Sequence, residues 1–195
     1  MIMDGEFEEA FRPVATEIGF LAREWNGLHD CFAQIFGQIV GPANVNIPQA
    51  VWNSATSDRV QRDMLRAAIH AWGAFDQDET EIFNEIKWLL DESNKLSDKR
   101  NNAIHAPLAV AKNSQTLQLR VVPHTFGKHP QAIRLKDKDI LVEFRTYRAQ
   151  AKVLKQHAQH VWHHMRRKET WPLPQRPKLP TSISKSSKPK EGRQK

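Results

Sequence analysis

Between Leu96 and Pro107 the chain reads Leu-Ser-Asp-Lys-Arg-Asn-Asn-Ala-Ile-His-Ala-Pro, and two of its side chains are suited to anion and proton chemistry. Arg100 carries a permanent charge in a planar fork of donors that matches the oxygens of a phosphate or carboxylate. An imidazole, here that of His105, is the side-chain type best suited to exchanging protons near neutral pH. Ile82, Ile86, Leu89, Ser93 and Leu96 step along one face of a helix, and the next step lands on Arg100. A guanidinium in phase with a packed face needs an anion or a wet cleft. Asn101 and His105 are four apart and share a face, so Asn101 is placed to orient the imidazole. Arg100 and His105 are five apart, about 140° around an ideal helix. They converge only where the helix kinks or a second subunit closes the site.

The elements that position this motif read as helices. Phe7, Phe11, Val14, Ile18, Leu21, Trp25, Leu28, Phe32, Ile35 and Ile39 alternate steps of four and three, which predicts a long helix. With Pro13 in its first turn, the helix spans about 13–38, before Gly41-Pro42. A short helical turn is weakly signalled over 48–55. Ser57 is an N-cap candidate for a helix to Trp72 with Val60, Met64, Ala67 and Ala71 on its packed side. The motif helix starts near Asp78, and Pro107 ends it soon after His105. Ile140, Phe144, Tyr147, Ala151, Leu154, Ala158, Val161 and Met165 predict a last helix over about 138–166. Between the two, residues 116–136 alternate apolar and polar residues around a Pro and Gly interruption, which reads as a β-hairpin or extended arm. The expected fold is all-α: a helical bundle of four main helices over residues 1–166, with a β-hairpin inserted before the last long helix. Residues 167–195, rich in Pro, Ser, Lys and Arg, are expected to form a disordered basic tail.

Arg100-Asn101-x-x-x-His105 resembles the Arg-polar-x(3–5)-His signature of HEPN domains, all-α proteins that carry this motif towards the end of a long helix. Two helical segments precede the motif here and a long helix follows it, as in that family. The resemblance implies a metal-independent endoribonuclease with a composite active site at a homodimer interface. Arg100 would clamp the scissile phosphate, His105 would act as base or acid, and Asn101 would orient one or the other. The products would be a 2′,3′-cyclic phosphate and a 5′-hydroxyl, and no cofactor is required. Lys99, Asn102, Arg166, Arg167 and Lys168 are the expected RNA contacts. Many HEPN domains have lost catalysis, so a non-catalytic RNA-binding or regulatory module, partnered by a co-encoded protein, is the alternative. A toxin–antitoxin or phage-defence setting rests on the resemblance alone. HEPN toxins controlled by nucleotidylation resemble each other in a Tyr two places after the His; here that place is Pro107, which argues against such control.

Charge sharpens the picture. The 195-residue chain has a net charge of +7 and 26% charged residues, with a mean hydropathy of -0.62 and a pI near 9.7. Residues 1–98 hold 7 Lys+Arg against 17 Asp+Glu, residues 99–165 hold 12 against 3, and residues 166–195 hold 10 against 2. The bundle is thus nearly neutral but polarised, and its basic half begins at Lys99, beside the motif. Cys31 is the only cysteine, which excludes an internal disulfide and a cysteine-rich zinc cage and suits a reducing, cytoplasmic location. No stretch approaches the roughly 18 apolar residues of a membrane span. The acidic start does not resemble a secretory signal. No phosphate-binding glycine loop, GxSxG elbow or HExxH pair is present. His157, His160 and His164 share a strip on the last helix that suits a divalent metal in spacing. With no carboxylate within a turn, the strip reads instead as a solvated face or a basic surface for phosphates. Tryptophans 25, 72, 88 and 162 lie on or beside apolar faces and read as anchors; Trp171 is placed to dock the root of the tail or stack on a base.

Overall fold

The structure, a computed structural model, describes residues 4–44, 46–73, 80–114, 116–167 and 172–182. These form six α-helices and one two-stranded antiparallel sheet: α1 (Asp4–Val40), α2 (Asn46–Ser54), α3 (Asp58–Gly73), α4 (Thr80–His105), β1 (Leu108–Lys112), β2 (Leu119–Pro123), α5 (Pro130–Arg134) and α6 (Ile140–Arg166). The four long helices fall where the periodicity puts them. Ser57 Oγ accepts the Val60 amide at 3.3 Å ahead of α3, and Asp139 caps α6 by accepting the Val142 amide at 3.1 Å.

Helix α1 is longer than expected. It starts at Asp4 and carries Pro13 in its interior rather than at its first turn. Glu6, Glu8 and Glu9 lie near the positive end of the helix dipole, and Phe7 stacks on Phe11 with ring centroids 6.0 Å apart. These contacts carry the helix back past a proline whose missing amide falls on an exposed face. The core lies chiefly between α1 and α6, where Leu21, Trp25, Leu28, Phe32, Phe144 and Leu154 are shut off from solvent. Two ion-pair systems tie these helices together: Glu24 to Lys155, and Glu17 to Arg148 at 3.1 Å. Gly27 leaves room for the Lys155 stem, since a Cβ there would fall 2.9 Å from Lys155 Cδ. Cys31 is buried in the same layer, with its Sγ 3.9 Å from the Lys155 carbonyl, and burial pushes its thiol up to about 11.

Three expectations need correction. The hairpin lies over 108–123, not within 116–136, with Val110 opposite Val121 in its register. Pro107 ends α4 and the next residues turn directly into β1. The supposed return strand is instead helix α5: Ala132 and Leu135, three apart, are fully buried while Ile133 is 47% exposed. Pro130, at the first position of α5, favours the helical start. In α3 the packed face is Arg62, Leu65 and Ile69, with Val60 exposed. It was missed because it contains a charged residue. Finally, part of the expected tail is ordered. Residues 172–182 run as an extended strap along α4 and α6, with Leu173 and Leu179 packed against the core. Their leucines supply the apolar burial that a wholly disordered tail would lack. The remaining tail residues, 168–171 and 183–195, and Trp171 with them, lie outside the described residues.

Candidate functional site

Helix α4 delivers Arg100 where its apolar seam predicts. Ile86, Leu89, Ser93 and Leu96 are buried in sequence along the seam, and Arg100 follows half-buried. The side chain points towards α1 and α3, within electrostatic reach of His29, Asp58 and Arg62. Its Nη1 donates to Asn101 Oδ1 at 3.2 Å. Its Nε is buried and has no hydrogen-bond partner.

The neighbours form a compact polar network. Arg62, 4% exposed, donates from Nε to Asn94 Oδ1 at 2.8 Å and from Nη1 to His29 Nε2 at 3.2 Å. A guanidinium only donates, so His29 Nε2 is the acceptor and its Nδ1–H donates to Gln61 Oε1 at 3.1 Å. Gln61 is oriented in turn by donating from Nε2 to the Trp52 carbonyl at 3.3 Å. Burial holds the His29 imidazole below its ordinary titration range, with Arg62 and Arg100 adding to the effect; this agrees with the neutral tautomer that the hydrogen bonds require. Trp25 Nε1 donates to Asp58 Oδ2 at 2.7 Å. Burial alone would raise Asp58, but that bond and the nearby positive charges keep its carboxyl below the usual range.

The charge count of this cluster does not close. Asp58 acts on both Arg62 and Arg100, and Asp63, 4.0 Å from Arg59, acts on Arg62 as well, so three arginines, Arg59, Arg62 and Arg100, face two carboxylates. Among the described residues no carboxylate oxygen lies within ion-pair distance of Arg100. A half-buried cation without an ion-pair partner favours an incoming oxyanion.

The other expected site residues are dispersed. His105 is exposed as the last residue of α4, and the helix runs unbroken from Arg100 to it. Within one chain the two side chains therefore leave on different sides. Asn101 is engaged by Arg100. Asn102 is buried and accepts from Arg134 Nη1 at 3.5 Å, so it is not the solvent-facing RNA contact expected. Lys99 donates to Gln150 Oε1 at 3.2 Å and lies over the Tyr147 ring, bridging α4 to α6. Arg166 and Arg167 are exposed at the far end of the bundle: Met165, beside them, lines a depression with Ile82 and Phe83 at the start of α4. That end is about 25 Å from Arg100 at the helical rise, so these cations do not join the motif. Lys168 lies outside the described residues.

The histidine strip is divided as well. His157 is buried, contacts Glu85 Oε2 at 3.1 Å and packs edge-on against Trp88, whereas His160 is exposed. Among the described residues no group of three or more His, Cys, Asp or Glu side chains is arranged to hold a metal. No helix among them is long and apolar enough to cross a membrane.

No protein-family model matches the chain, and comparisons with curated proteins and with solved structures find no similar protein. His29, Asp58, Gln61, Arg62 and Asn94 were not singled out from the sequence. Arg62 had the same signal as Arg100: a cation in phase with buried apolar residues, here Leu65 and Ile69.

Proposed function

We propose that this protein binds RNA through Arg100 and cleaves it as a metal-independent endoribonuclease of HEPN type, with two copies completing the site. The observation that supports this reading is the unbalanced cluster at the end of α4, in which three arginines meet two carboxylates and Arg100 has no ion-pair partner among the described residues. A phosphodiester supplies negative charge to the half-buried guanidinium of Arg100. Cleavage then needs a base to take the proton of the ribose 2′-hydroxyl as that oxygen attacks phosphorus. It also needs an acid to protonate the departing 5′-oxygen, and a cation for the charge on the phosphoryl oxygens. Arg100 is the cation. His105, exposed at the tip of α4, is the proton-transfer group, and His105 of a second copy has the opposite role. The bonds exchanged are the new 2′-O–P bond and the broken P–O5′ bond, which leave a 2′,3′-cyclic phosphate and a 5′-hydroxyl.

A second reading has its own support. Arg100 and His105 diverge along an unbroken helix, which suits a binding module that holds phosphates without breaking them. Purified protein incubated with single-stranded RNA in the presence of EDTA separates the two. The enzyme reading expects cyclic-phosphate ends, a specific activity that rises with protein concentration, and loss of cleavage of at least 100-fold in Arg100→Ala and in His105→Ala with helicity unchanged. Intact RNA, bound by the wild type but not by Arg100→Ala, would establish the binding module. Absence of both cleavage and binding would reject RNA as the ligand.

A further inference from the structure

We propose that the groove between α4 and α6 is a receptor for a proline-spaced peptide carrying one arginine between two leucines, and that residues 173–180 of this chain are its exchangeable occupant, bound in cis. The strap reads Leu-Pro-Gln-Arg-Pro-Lys-Leu-Pro. Pro174, Pro177 and Pro180 recur every three residues, and so do Leu173, Arg176 and Leu179. Three residues is one turn of a polyproline II helix, so each set lies along its own edge of such a chain. Side chains of the Leu-Arg-Leu edge make specific contacts with the bundle, and the prolines are half-buried beside them. Leu173 and Leu179 pack against the core. Arg176 Nε donates to Glu85 Oε1 at 2.7 Å, its Nη2 donates to the Asn84 carbonyl at 3.3 Å, and its guanidinium lies over the Trp88 ring at 5.7 Å.

The groove presents fixed polar groups to this chain at positions along its length. Glu85 is held from the α6 side by His157 through Oε2, which leaves Oε1 for the arginine. Buried Gln150 accepts Lys99 on its oxygen and donates from Nε2 to the Pro180 carbonyl at 2.5 Å. Between them Leu96 and Leu154 line a depression whose other wall is Leu179 and Pro180 of the strap. An acidic group and an aromatic face for one arginine, two leucines beside Leu179, and an amide for a proline carbonyl together make a recognition surface for proline-rich peptides. The prolines restrict the free strap as well, which lowers the entropy lost on docking. The α4–α6 groove would therefore accept the same pattern from another protein once the strap leaves. This inference does not depend on the RNA reading.

Trypsin supplies the test. Within 172–182 it has one susceptible bond, Lys178–Leu179, because Arg176 precedes a proline. That bond, followed by mass spectrometry in the intact chain, is expected to be cut at least tenfold more slowly in the wild type than in Arg176→Glu. The charge-exchanged Glu85→Lys/Arg176→Glu chain should recover protection. A synthetic 172–182 peptide carrying Lys178→Gln, added in excess, should accelerate cleavage of the wild-type strap, whereas the same peptide with Arg176→Glu should not. Equal cleavage in wild type and Arg176→Glu would overturn the docked strap. Failure of the excess peptide to accelerate cleavage would overturn the receptor. Protection that grows with protein concentration in step with dimerisation would assign the occupant to a second copy and overturn the cis arrangement.

Discussion

Arg62 and Arg100 project towards the same cluster from α3 and α4, and the difference in their partners sets different expectations for their removal. Arg62 is saturated by Asn94 and His29 and packs its guanidinium 5.4 Å from the Trp25 ring. Arg62→Ala strips buried acceptors of their donor and opens space beside Trp25, so it should cost about 3 kcal/mol. Arg100 is a charge in excess, with one nitrogen unpaired. Arg100→Met removes that excess and keeps the apolar stem, so stability should change by less than about 1 kcal/mol in either direction. Urea unfolding of the two variants checks the contrast. A large loss in Arg100→Met would make Arg100 a structural strut and remove the support for an anion at this site. At this scale Arg100 was legible in the sequence because the residues before it on the helix seam are apolar except for Ser93. His29 and Asp58 were not, because their roles come from side chains that meet them across helices.

Between elements, α1 and α6 owe their alignment to the apolar seam and to Glu24–Lys155. The Lys155 bond, foremost, holds the buried Glu24 carboxyl below its usual range, with Arg23 helping. Lys155→Met keeps most of the stem but leaves that carboxylate with the exposed Arg23 alone. Between the values typical of surface and fully buried pairs, a loss of about 2 kcal/mol is expected, with the acid unfolding midpoint moved to higher pH. Double mutation with Glu24→Gln should recover most of it, and thermal unfolding of the four chains measures the coupling. The seams of α1, α4 and α6 could be read without a structure because their packed residues are nearly all apolar. In α3 the packed face was misread through Arg62, and β1 was missed because Leu108–Lys112 is short and only partly covered. The strap was assigned to disorder by its polar composition, although Leu173 and Leu179 sit at the spacing that lets both dock.

For the molecule as a whole, acid should act in two stages. His29 and His157 are held below the ordinary imidazole value of 6.5, in both cases chiefly by burial. The unfolded chain therefore takes up protons first, and stability is greatest above 6.5 and declines as pH falls below it. Glu24 is lowered mainly by Lys155. In Glu143 the Tyr147 hydroxyl, donating at 2.6 Å, outweighs with its other partners the burial that would raise it. Their contribution persists above the ordinary value of 4.5 and is lost as pH falls through the folded values, so a second decline follows below 4.5. Urea midpoints between pH 8 and pH 4 should show both declines, and His29→Gln, which keeps an acceptor for Arg62, should flatten the first. A midpoint constant from pH 8 to pH 5 would contradict the neutral, buried His29. The lone thiol offers a different kind of access to the same molecule. Cys31 lies under α6 with its pKa pushed up to about 11, so a disulfide reagent reaches a reactive thiolate only during moments when α1 and α6 part. The labelling rate of the unmodified chain is thus a stopwatch for the opening of its core, and any cysteine introduced on the surface would be labelled against a silent background.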